Sequence, residues 1–394
     1  MVLKNTGKIN KHKIVHIISN LDLGGAQILL FDILNCLKRK NDLEISVITI
    51  DSGYFVKKFI DSGINVINLN EKGLINPGIY FKLRKLLKEL DPDIVHTHLN
   101  KADFYGRIAA KHSRVPIIFS TCHNYSTTHT SANINKKSIF DRIDDIVINY
   151  SDSSLIAISK LVYQYLVNRD SGYKNKTETI YNGLNTDKQK YILSEMERDL
   201  FRNELKLKKT DFIILISGRI EKQKGHLFFL KSAKNFILNN PDIKILILGE
   251  GSLRTELENF INENSMHDQI RFLGFKEDTE KFIEISDLIC VPSLWEGFGL
   301  VIIEAMIKGK LVLASNTGGI PEIIENNVNG LLFETENKND LSEKLNYIYK
   351  NKTKFESIKK NAIECVKSKF DIMKNSENYY RLYINKLKIY KTIE

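Results

Sequence analysis

Two glutamates eight residues apart, Glu296 and Glu304, flank the segment of this chain with the richest potential chemistry. Between them the chain passes through a glycine-containing turn, Gly297-Phe298-Gly299, into an apolar stretch typical of a helix. Such a turn lets backbone N–H groups face an anion at a helix N-terminus, and Glu296 can accept hydrogen bonds from sugar hydroxyls. With a helix start near Gly299, Glu304 lies roughly 7 Å along the axis, which suits a ribose. The segment predicts a site for a sugar attached to a nucleotide; the alternative is a pair of solvated glutamates.

A second group of candidate residues follows the apolar run from Phe212 to Ser217. The run predicts a strand, and Gly218, Arg219 and Lys224 come after it, before a helical pattern. Open α/β sheets bind ligands at the carboxyl ends of their strands. We therefore expect the two cations to face a diphosphate leaving group, although solvated loop charge is the alternative.

Two further glycine turns follow predicted strands. Gly24-Gly25 lies between the strand-like Ile14 to Ser19 and a helical pattern, where backbone N–H groups could approach a phosphate. Gly249 opens a Gly-x-Gly turn, but Arg254 stands where the third glycine of an NAD-binding fingerprint would be. The sequence therefore disfavours a dehydrogenase.

Histidines supply the candidate acid–base groups. His123 follows the strand-like run from Pro116 to Thr121 and is expected at the carboxyl edge of a sheet, with a structural role as the alternative. His96 and His98 alternate along one strand face, but this spacing alone does not make a metal site.

Asp91-Pro92-Asp93 has the D-x-D form of metal-dependent sugar transferases. It directly precedes the strand-like Ile94 to His98, so a strand-entry turn is the preferred interpretation. No metal site and no cofactor are predicted.

Length and composition indicate a globular chain with two domains. The chain has 394 residues, of which 42% are hydrophobic and 27% charged, and it lacks an apolar run long enough to span a bilayer. Four scattered cysteines favour reduced thiols. A polar, lysine-rich beginning without a signal-peptide core leads us to expect a cytoplasmic location.

Positive charge is concentrated in the first half of the chain. Residues 1–183 contain 25 Lys+Arg and 17 Asp+Glu, a net charge of +8, which leaves +2 for residues 184–394. Such an excess attracts phosphate or carboxylate groups. Because no nucleic-acid-binding signature accompanies it, we expect an acidic or lipid-linked partner and peripheral association with an anionic inner membrane face.

Strand-like and helical patterns alternate twice along the chain, with a pause at Tyr181-Asn182-Gly183. This rhythm predicts an α/β protein with two Rossmann-like, doubly wound domains facing a cleft. We expect a first domain at 1–183 and a second at 184–371; the family resemblance given below implies that they are the acceptor-side and the nucleotide-sugar domain. The helical pattern from Tyr379 to Leu387 favours a C-terminal helix, and residues 372–394 are expected to pack back on the first domain.

In combination, these motifs resemble those of glycosyltransferase family four, which has the GT-B fold, over nearly the whole chain. The E-x7-E pattern is matched by Glu296 and Glu304, and the Arg/Lys pair by Arg219 and Lys224. The resemblance implies catalytic roles for His123, Arg219, Lys224 and Glu296. It implies donor binding by Gly24, Gly25, Gly218, Gly249, Gly274, Phe275, Gly297, Phe298, Gly299, Leu300, Val301 and Glu304. Gln27 departs from the family, in which many members carry Glu in the glycine-rich loop.

The function expected from this resemblance is metal-independent transfer of a sugar, with retention, from a nucleotide diphosphate sugar such as a UDP-sugar to a hydroxyl acceptor. A lipid-linked or polysaccharide glycan is the expected acceptor. Two alternatives remain open: a nucleotide-sugar epimerase or hydrolase of the same fold, and a non-catalytic nucleotide-sugar sensor.

Overall fold

The computed structural model describes residues 11–73, 75–123, 139–186 and 192–393, and the chain forms two compact units. One unit comprises Met1–Gly183 together with Ile372–Glu394, and the other comprises Leu184–Asp371. Each unit is an α/β structure built on a parallel sheet, which confirms the predicted fold class. Within these described ranges, no helix is both long and apolar enough to cross a bilayer.

The first unit contains seven parallel strands. They are β1 (His12–Ile18), β2 (Leu43–Thr49), β3 (Asn65–Asn68), β4 (Ile94–His98), β5 (Ile117–Cys122), β6 (Ser154–Ala157) and β7 (Thr177–Thr179). Their order in the sheet is β3-β2-β1-β4-β5-β6-β7. Chain order reverses between β1 and β4, so the carboxyl ends of these two strands form the topological switch point of the sheet.

Helices cover both faces of this sheet because apolar residues point alternately to its two sides. The helices are α1 (Gly25–Leu37), α2 (Val56–Asp61), α3 (Pro77–Leu90), α4 (Asn100–His112), α5 (Ile139–Ser151) and α6 (Lys160–Arg169). On β1, Ile14 and Ile18 belong to the core under α1 and α2. Val15 and Ile17 belong to the core under α3 and α4.

The second unit repeats the plan with six parallel strands. They are β8 (Phe212–Ser217), β9 (Ile243–Leu248), β10 (Ile270–Gly274), β11 (Leu288–Val291), β12 (Leu311–Ser315) and β13 (Leu331–Phe333), in the order β10-β9-β8-β11-β12-β13. The helices are α7 (Glu195–Glu204), α8 (His226–Leu238), α9 (Arg254–Glu263), α10 (Thr279–Ile285), α11 (Leu300–Ile307), α12 (Ile320–Ile323), α13 (Lys338–Lys350) and α14 (Glu356–Lys369). The switch point of this sheet lies between β8 and β11.

The last helix, α15 (Ile372–Ile393), belongs to the first unit and packs on α1. Tyr379 and Tyr383 are buried in the same core as Ile14 and Ile18. The Tyr383 hydroxyl lies 2.6 Å from Nδ1 of His96 on β4, so a polar contact also joins the helix to the sheet. The expected return of the C-terminal helix to the first domain is therefore confirmed.

We expect Tyr383→Phe to destabilise the first unit by about 1–3 kcal/mol, because a buried nitrogen of His96 loses its hydroxyl partner. Urea unfolding followed by circular dichroism measures the change. Tyr347→Phe removes the hydroxyl from an exposed ring and serves as the control. Equal unfolding midpoints for the two variants would show that the buried contact contributes nothing.

Candidate active site

Residues that are far apart in the second half of the sequence meet at one edge of the second sheet. Gly274 ends β10, Gly249 follows β9, Gly218 and Arg219 follow β8, and residues 292–299 follow β11. These four strands are neighbours and run parallel. Their carboxyl ends therefore place the predicted donor-binding residues of this unit around the β8/β11 switch point.

The loops after β8 and β11 are joined by backbone contacts. Leu294 N donates to Gln223 O at 2.8 Å, and the Gln223 side-chain amide donates to Trp295 O at 3.2 Å. A Cβ atom on Gly225 would lie 1.8 Å from the carbonyl oxygen of Pro292, so only glycine allows this approach. The two loops are thus held together as one support.

This support brings Lys224 and Glu296 into contact. Lys224 Nζ lies 2.5 Å from Glu296 Oε2, and the Ser293 hydroxyl donates to the same oxygen at 3.3 Å. The two side chains are 22% and 10% exposed. Partial burial strengthens their attraction, and the carboxylate fixes the ammonium group at the sheet edge. The sequence predicted both residues but not their pairing.

Two glycines after β12 hold the Glu296 loop from its other side. Gly319 N donates to Glu296 O at 2.9 Å. Gly318 has φ +61°, and a Cβ atom there would lie 2.0 Å from the same oxygen. Sequence analysis alone does not distinguish a plain turn from a ligand contact for these glycines. Their backbone supports the carboxylate loop, a role that sequence reasoning missed.

Helix α11 begins where the sequence predicted, with Gly299 as its N-cap at φ +104°. Gly299 offers no capping side chain, and the first turn contains no acidic residue. Backbone N–H groups near Leu300 and Val301 can therefore meet an anion. Glu304 lies in the second turn and is half-buried. Phe298 is buried against Phe370, so its side chain belongs to the core and its backbone faces the turn.

Arg219 is an exposed cation at this edge. Nearby, Glu221 accepts hydrogen bonds from the backbone N–H and hydroxyl of Ser252 at 2.9 and 2.7 Å. These hydrogen bonds lower the pKa of Glu221, and the charge of Arg219 lowers it further. Glu221 therefore ties the β8 loop to the β9 loop.

The end of β10 carries Gly274 and Phe275, two of the predicted donor-binding residues. Phe275 is 43% exposed directly after Gly274, whose carbonyl accepts a hydrogen bond from Gly249 N at 2.8 Å. The Gly-x-Gly turn at 249–251 is explained by close backbone packing: a Cβ atom on Gly251 would lie 2.3 Å from Ile220 O. These glycines serve loop packing at the same edge.

His226 is a second residue that sequence reasoning missed. It begins α8 two residues after Lys224 and is 2% exposed. Burial lowers its pKa to about 4, and the charge of Lys224 contributes to the shift. Among the described residues neither ring nitrogen finds a hydrogen-bond partner. The signal in the sequence was a histidine directly after the Lys224-Gly225 turn.

In the first unit, the glycine-rich loop lies at the end of β1, as predicted. Gly24 is the N-cap of α1, which begins at Gly25. The Gln27 side-chain amide donates to the side-chain oxygen of Asn20 at 2.9 Å. A Cβ atom on Gly24 would lie 2.5 Å from Gln27 Oε1, so the neutral Gln27 is packed into the loop that it stabilises.

The Asp91–Asp93 turn enters β4 as the sequence predicted. Asp91 is the left-handed C-cap of α3, with φ 46°. The Asp93 carboxylate accepts a hydrogen bond from Lys13 N at 2.8 Å. Both aspartates therefore shape the entry to the sheet.

A chain of imidazoles leads from the centre of this sheet to its carboxyl edge. His16 on β1 lies beside His96 in the strand register. His16 Nδ1 lies 3.0 Å from His98 Nε2, and His98 Nδ1 lies 3.4 Å from His123 Nε2. Burial lowers the pKa of His16 to about 3 and of His123 to about 4. It also keeps the pKa of His98 well below 6.5.

His96 is held differently from the other members of this cluster. Its ring nitrogens lie 2.6 Å from the Tyr383 hydroxyl and 2.8 Å from the Thr121 hydroxyl. Donor atoms of His16, His96 and His98 lie within 4.8 Å of one another, which is close enough for one metal ion. However, the rings of His96 and His98 stack with centroids 4.3 Å apart, and this arrangement does not aim their nitrogens at one point.

Two protein-family models match this chain, one over most of each unit. The model described as "Glycosyltransferase Family 4" matches residues 23–188, and the model "Glycosyl transferases group 1" matches residues 197–364. The two matches together span most of both units. The chain belongs to glycosyltransferase family 4.

Curated relatives and solved structures agree with this family. A UDP-Gal:alpha-D-GlcNAc-diphosphoundecaprenol alpha-1,3-galactosyltransferase of Escherichia coli is 29% identical over 77% of this chain and 78% of its own. An N,N'-diacetylbacillosaminyl-diphospho-undecaprenol alpha-1,3-N-acetylgalactosaminyltransferase of Campylobacter jejuni is 26% identical over 89% and 93%. The crystal structure of Anabaena HepE with UDP-glucose has a TM-score of 0.82, 22% identity, and coverage of 95% and 99%. The glycosyltransferase described here shares that fold.

The imidazole chain of this family 4 glycosyltransferase has a direction. Each neutral ring carries one proton, so the hydrogen bonds must all point the same way. If His123 donated to His98 and His98 donated to His16, a buried N–H would remain on His16 Nε2, which has no partner within the described structure. A buried, unpaired N–H is rarer than a buried, unpaired acceptor. We infer that His16 donates to His98 and His98 donates to His123, which leaves His123 Nδ1 protonated.

Nitrogen-15 NMR of the labelled enzyme should therefore show His123 as the Nδ1–H tautomer and neutral from neutral pH down to about pH 5, below the ordinary histidine pKa of about 6.5. His98→Phe removes the donor and should release this tautomer preference. A protonated Nε2 on His123 in the unaltered enzyme would contradict the proposed direction.

Gly318→Ala should destabilise the protein by more than the roughly 1–3 kcal/mol of a strained backbone, because the new methyl group meets a carbonyl oxygen of the Glu296 loop. Gly63→Ala is the matched control: its φ of +82° imposes similar strain, but no atom lies within 4 Å of the added Cβ. Thermal unfolding should show a larger loss of stability for Gly318→Ala than for Gly63→Ala. Calorimetry should likewise show a larger loss of UDP affinity for Gly318→Ala. Equal losses of stability and affinity would refute the role of close packing.

Proposed function

We propose that this glycosyltransferase moves a sugar from a nucleoside diphosphate sugar to a hydroxyl acceptor, with retention at the anomeric carbon and without a metal ion. The observation that carries the proposal is the Lys224–Glu296 pair, fixed across the β8 and β11 loops at the switch point. With Arg219 at the same edge, two cations and the first-turn N–H groups of α11 can balance the charge of a departing diphosphate.

In the proposed reaction the bond between the anomeric carbon and the diphosphate oxygen breaks, and the electron pair leaves with the diphosphate. The acceptor hydroxyl attacks from the same face and passes its proton to the departing phosphate. Lys224 and Arg219 stabilise the charge that grows on the leaving group. Glu296 keeps Lys224 in place and offers its other oxygen to the donor sugar. Glu304 binds the ribose.

A UDP-sugar is the proposed donor. The Escherichia coli relative is named for its donor UDP-Gal, and the HepE crystal structure is a complex with UDP-glucose. In this chain the exposed ring of Phe275 lies at the end of β10, where a base can stack on it. Gly218, Gly249 and Gly274 end adjacent strands, where backbone can approach the nucleotide.

A lipid-linked glycan is the proposed acceptor, because both named bacterial relatives act on a sugar attached to diphosphoundecaprenol. The net charge of +8 on residues 1–183 supports a place at the anionic cytoplasmic face of a membrane. We assign the first unit to the acceptor. His123, with its Nδ1–H donor, and the α1 start at Gly24-Gly25 are its proposed substrate-binding groups.

The test is incubation with a panel of UDP-sugars, with and without polyprenyl-diphosphate-linked sugars, while UDP release and glycan products are measured. Acceptor-dependent UDP release and a retained anomeric configuration are expected, with full activity in EDTA. Free sugar in place of a transfer product would indicate a hydrolase, and an isomerised donor would indicate an epimerase. Tight UDP-sugar binding without turnover would indicate a sensor.

Arg219→Ala should lower turnover by roughly 10² to 10³, because removal of one preorganised charge typically costs about 2.7–4 kcal/mol of transition-state stabilisation. Steady-state UDP release measures this effect. Lys222→Ala removes an exposed cation from the same loop and should retain nearly normal turnover. Similar rates for both variants would contradict the role of Arg219.

A further inference from the structure

Helix α5 presents an apolar side to solvent. We call this side the outer α5 face; it consists of Ile139, Phe140, Ile143, Ile146 and Tyr150. Four of these residues are spaced by 4, 3 and 4 positions, which places them on one stripe of a helix. Their exposed fractions range from 42% for Ile143 to 71% for Phe140. A contiguous apolar stripe on a charged protein marks an interaction site.

The acidic side of the same helix faces inward. Asp144 pairs with Arg107 and, at 2.7 Å, with Arg169, while Asp145 lies 2.6 Å from Arg169. Both arginines are almost completely buried. The inner side of α5 thus carries neutralised aspartates together with the buried Val147 and Ile148, and its outer side is apolar, whereas a typical amphipathic surface helix has a polar outer side. Packing among the described residues of the first unit thus leaves the outer α5 face uncovered.

Charge on and around this face selects an anionic partner. Arg142 is exposed on one flank of the stripe, whereas the aspartates of α5 are buried or paired. Lys111 is exposed on the neighbouring helix α4. Tyr150 completes the stripe, and its hydroxyl lies 2.8 Å from His112 Nε2 on α4. Apolar side chains, a cation and an amphipathic tyrosine suit the boundary between lipid headgroups and acyl chains.

A second copy of the chain fits this face less well. In a two-fold symmetric contact each copy offers the same patch, so Arg142 of both molecules would enter one interface. The exposed residues of α5 include no acid to neutralise them. An anionic lipid headgroup supplies that missing negative charge.

We propose that the outer α5 face docks the enzyme on an anionic lipid surface, with Phe140, Ile143 and Ile146 entering the headgroup region. The inference rests on the proposed lipid-linked acceptor, because docking brings the first unit to the membrane in which such an acceptor lies. It specifies which surface makes the contact, and its physical test requires neither a sugar donor nor an acceptor.

The test is co-sedimentation of the full chain with vesicles of phosphatidylcholine alone or mixed with phosphatidylglycerol. The unaltered chain should bind the mixed vesicles, and added salt should weaken this binding. Ile146→Asp should lower the partition coefficient by roughly tenfold or more, because it replaces an inserted apolar group with a like charge. Arg142→Gln should weaken binding to the mixed vesicles only.

The matched control is Ile60→Asp, which makes the same change at an exposed position on α2, across the sheet in the same unit. It should leave vesicle binding nearly unchanged. Equal binding by the Ile60→Asp and Ile146→Asp proteins, or an unaltered chain that stays in solution, would overturn the proposal. A dimer in buffer that Ile146→Asp dissociates would also overturn it, since the face would then be a subunit interface.

Transfer assays separate this proposal from the proposed function. Ile146→Asp should reduce transfer to an acceptor embedded in vesicles and leave transfer to a short-chain, water-soluble acceptor unchanged. If no sugar donor reacts, the proposed function fails, while vesicle binding still tests the docking surface. If both acceptors are used equally well by the Ile146→Asp enzyme, docking through α5 is refuted.

Discussion

The Lys224–Glu296 ion pair is the interaction on which the candidate site depends. It joins the loops of two strands that are adjacent in the sheet but separated by 72 residues in the chain. The carboxylate of Glu296 neutralises the half-buried ammonium of Lys224 and holds it at the sheet edge. The backbone bond from Leu294 to Gln223 holds the partners in reach. A cation is thereby positioned before a phosphate arrives.

This pairing also explains why several glycines surround the site. The carbonyl groups of Pro292 and Glu296, both in the loop after β11, occupy the space that a Cβ atom would need at Gly225 and Gly318. Glycine at these positions permits close packing of loop against loop. This packing fixes the backbone of Glu296 and leaves its carboxylate to pair with Lys224. Close packing of the backbone restricts the motion of these loops, and it therefore holds the side chains of Lys224 and Glu296 in position.

The fold could be predicted largely from hydrophobic patterning. Buried parallel strands are nearly continuous apolar runs, so β8 was recognised with its bounds. Sequence patterning did not identify β3 or β13: one is a polar edge strand, and the other contains only three residues. The start of α11 at Gly299 was predictable because a glycine turn preceding an apolar helix is a local signal.

What could not be predicted is contact between distant segments, and the two units use such contacts in opposite ways. The strand register that sets His16 beside His96 leaves His16, His96 and His98 buried and neutral. Neutral imidazoles and the neutral Gln27 suit hydroxyl groups, which exchange hydrogen bonds without carrying charge. The second unit instead places Lys224 and Arg219 at its switch point, which suits phosphate. Two sheets of one architecture thus offer different chemistry, because neutral imidazoles lead to the carboxyl edge of the first and cations lie at the carboxyl edge of the second.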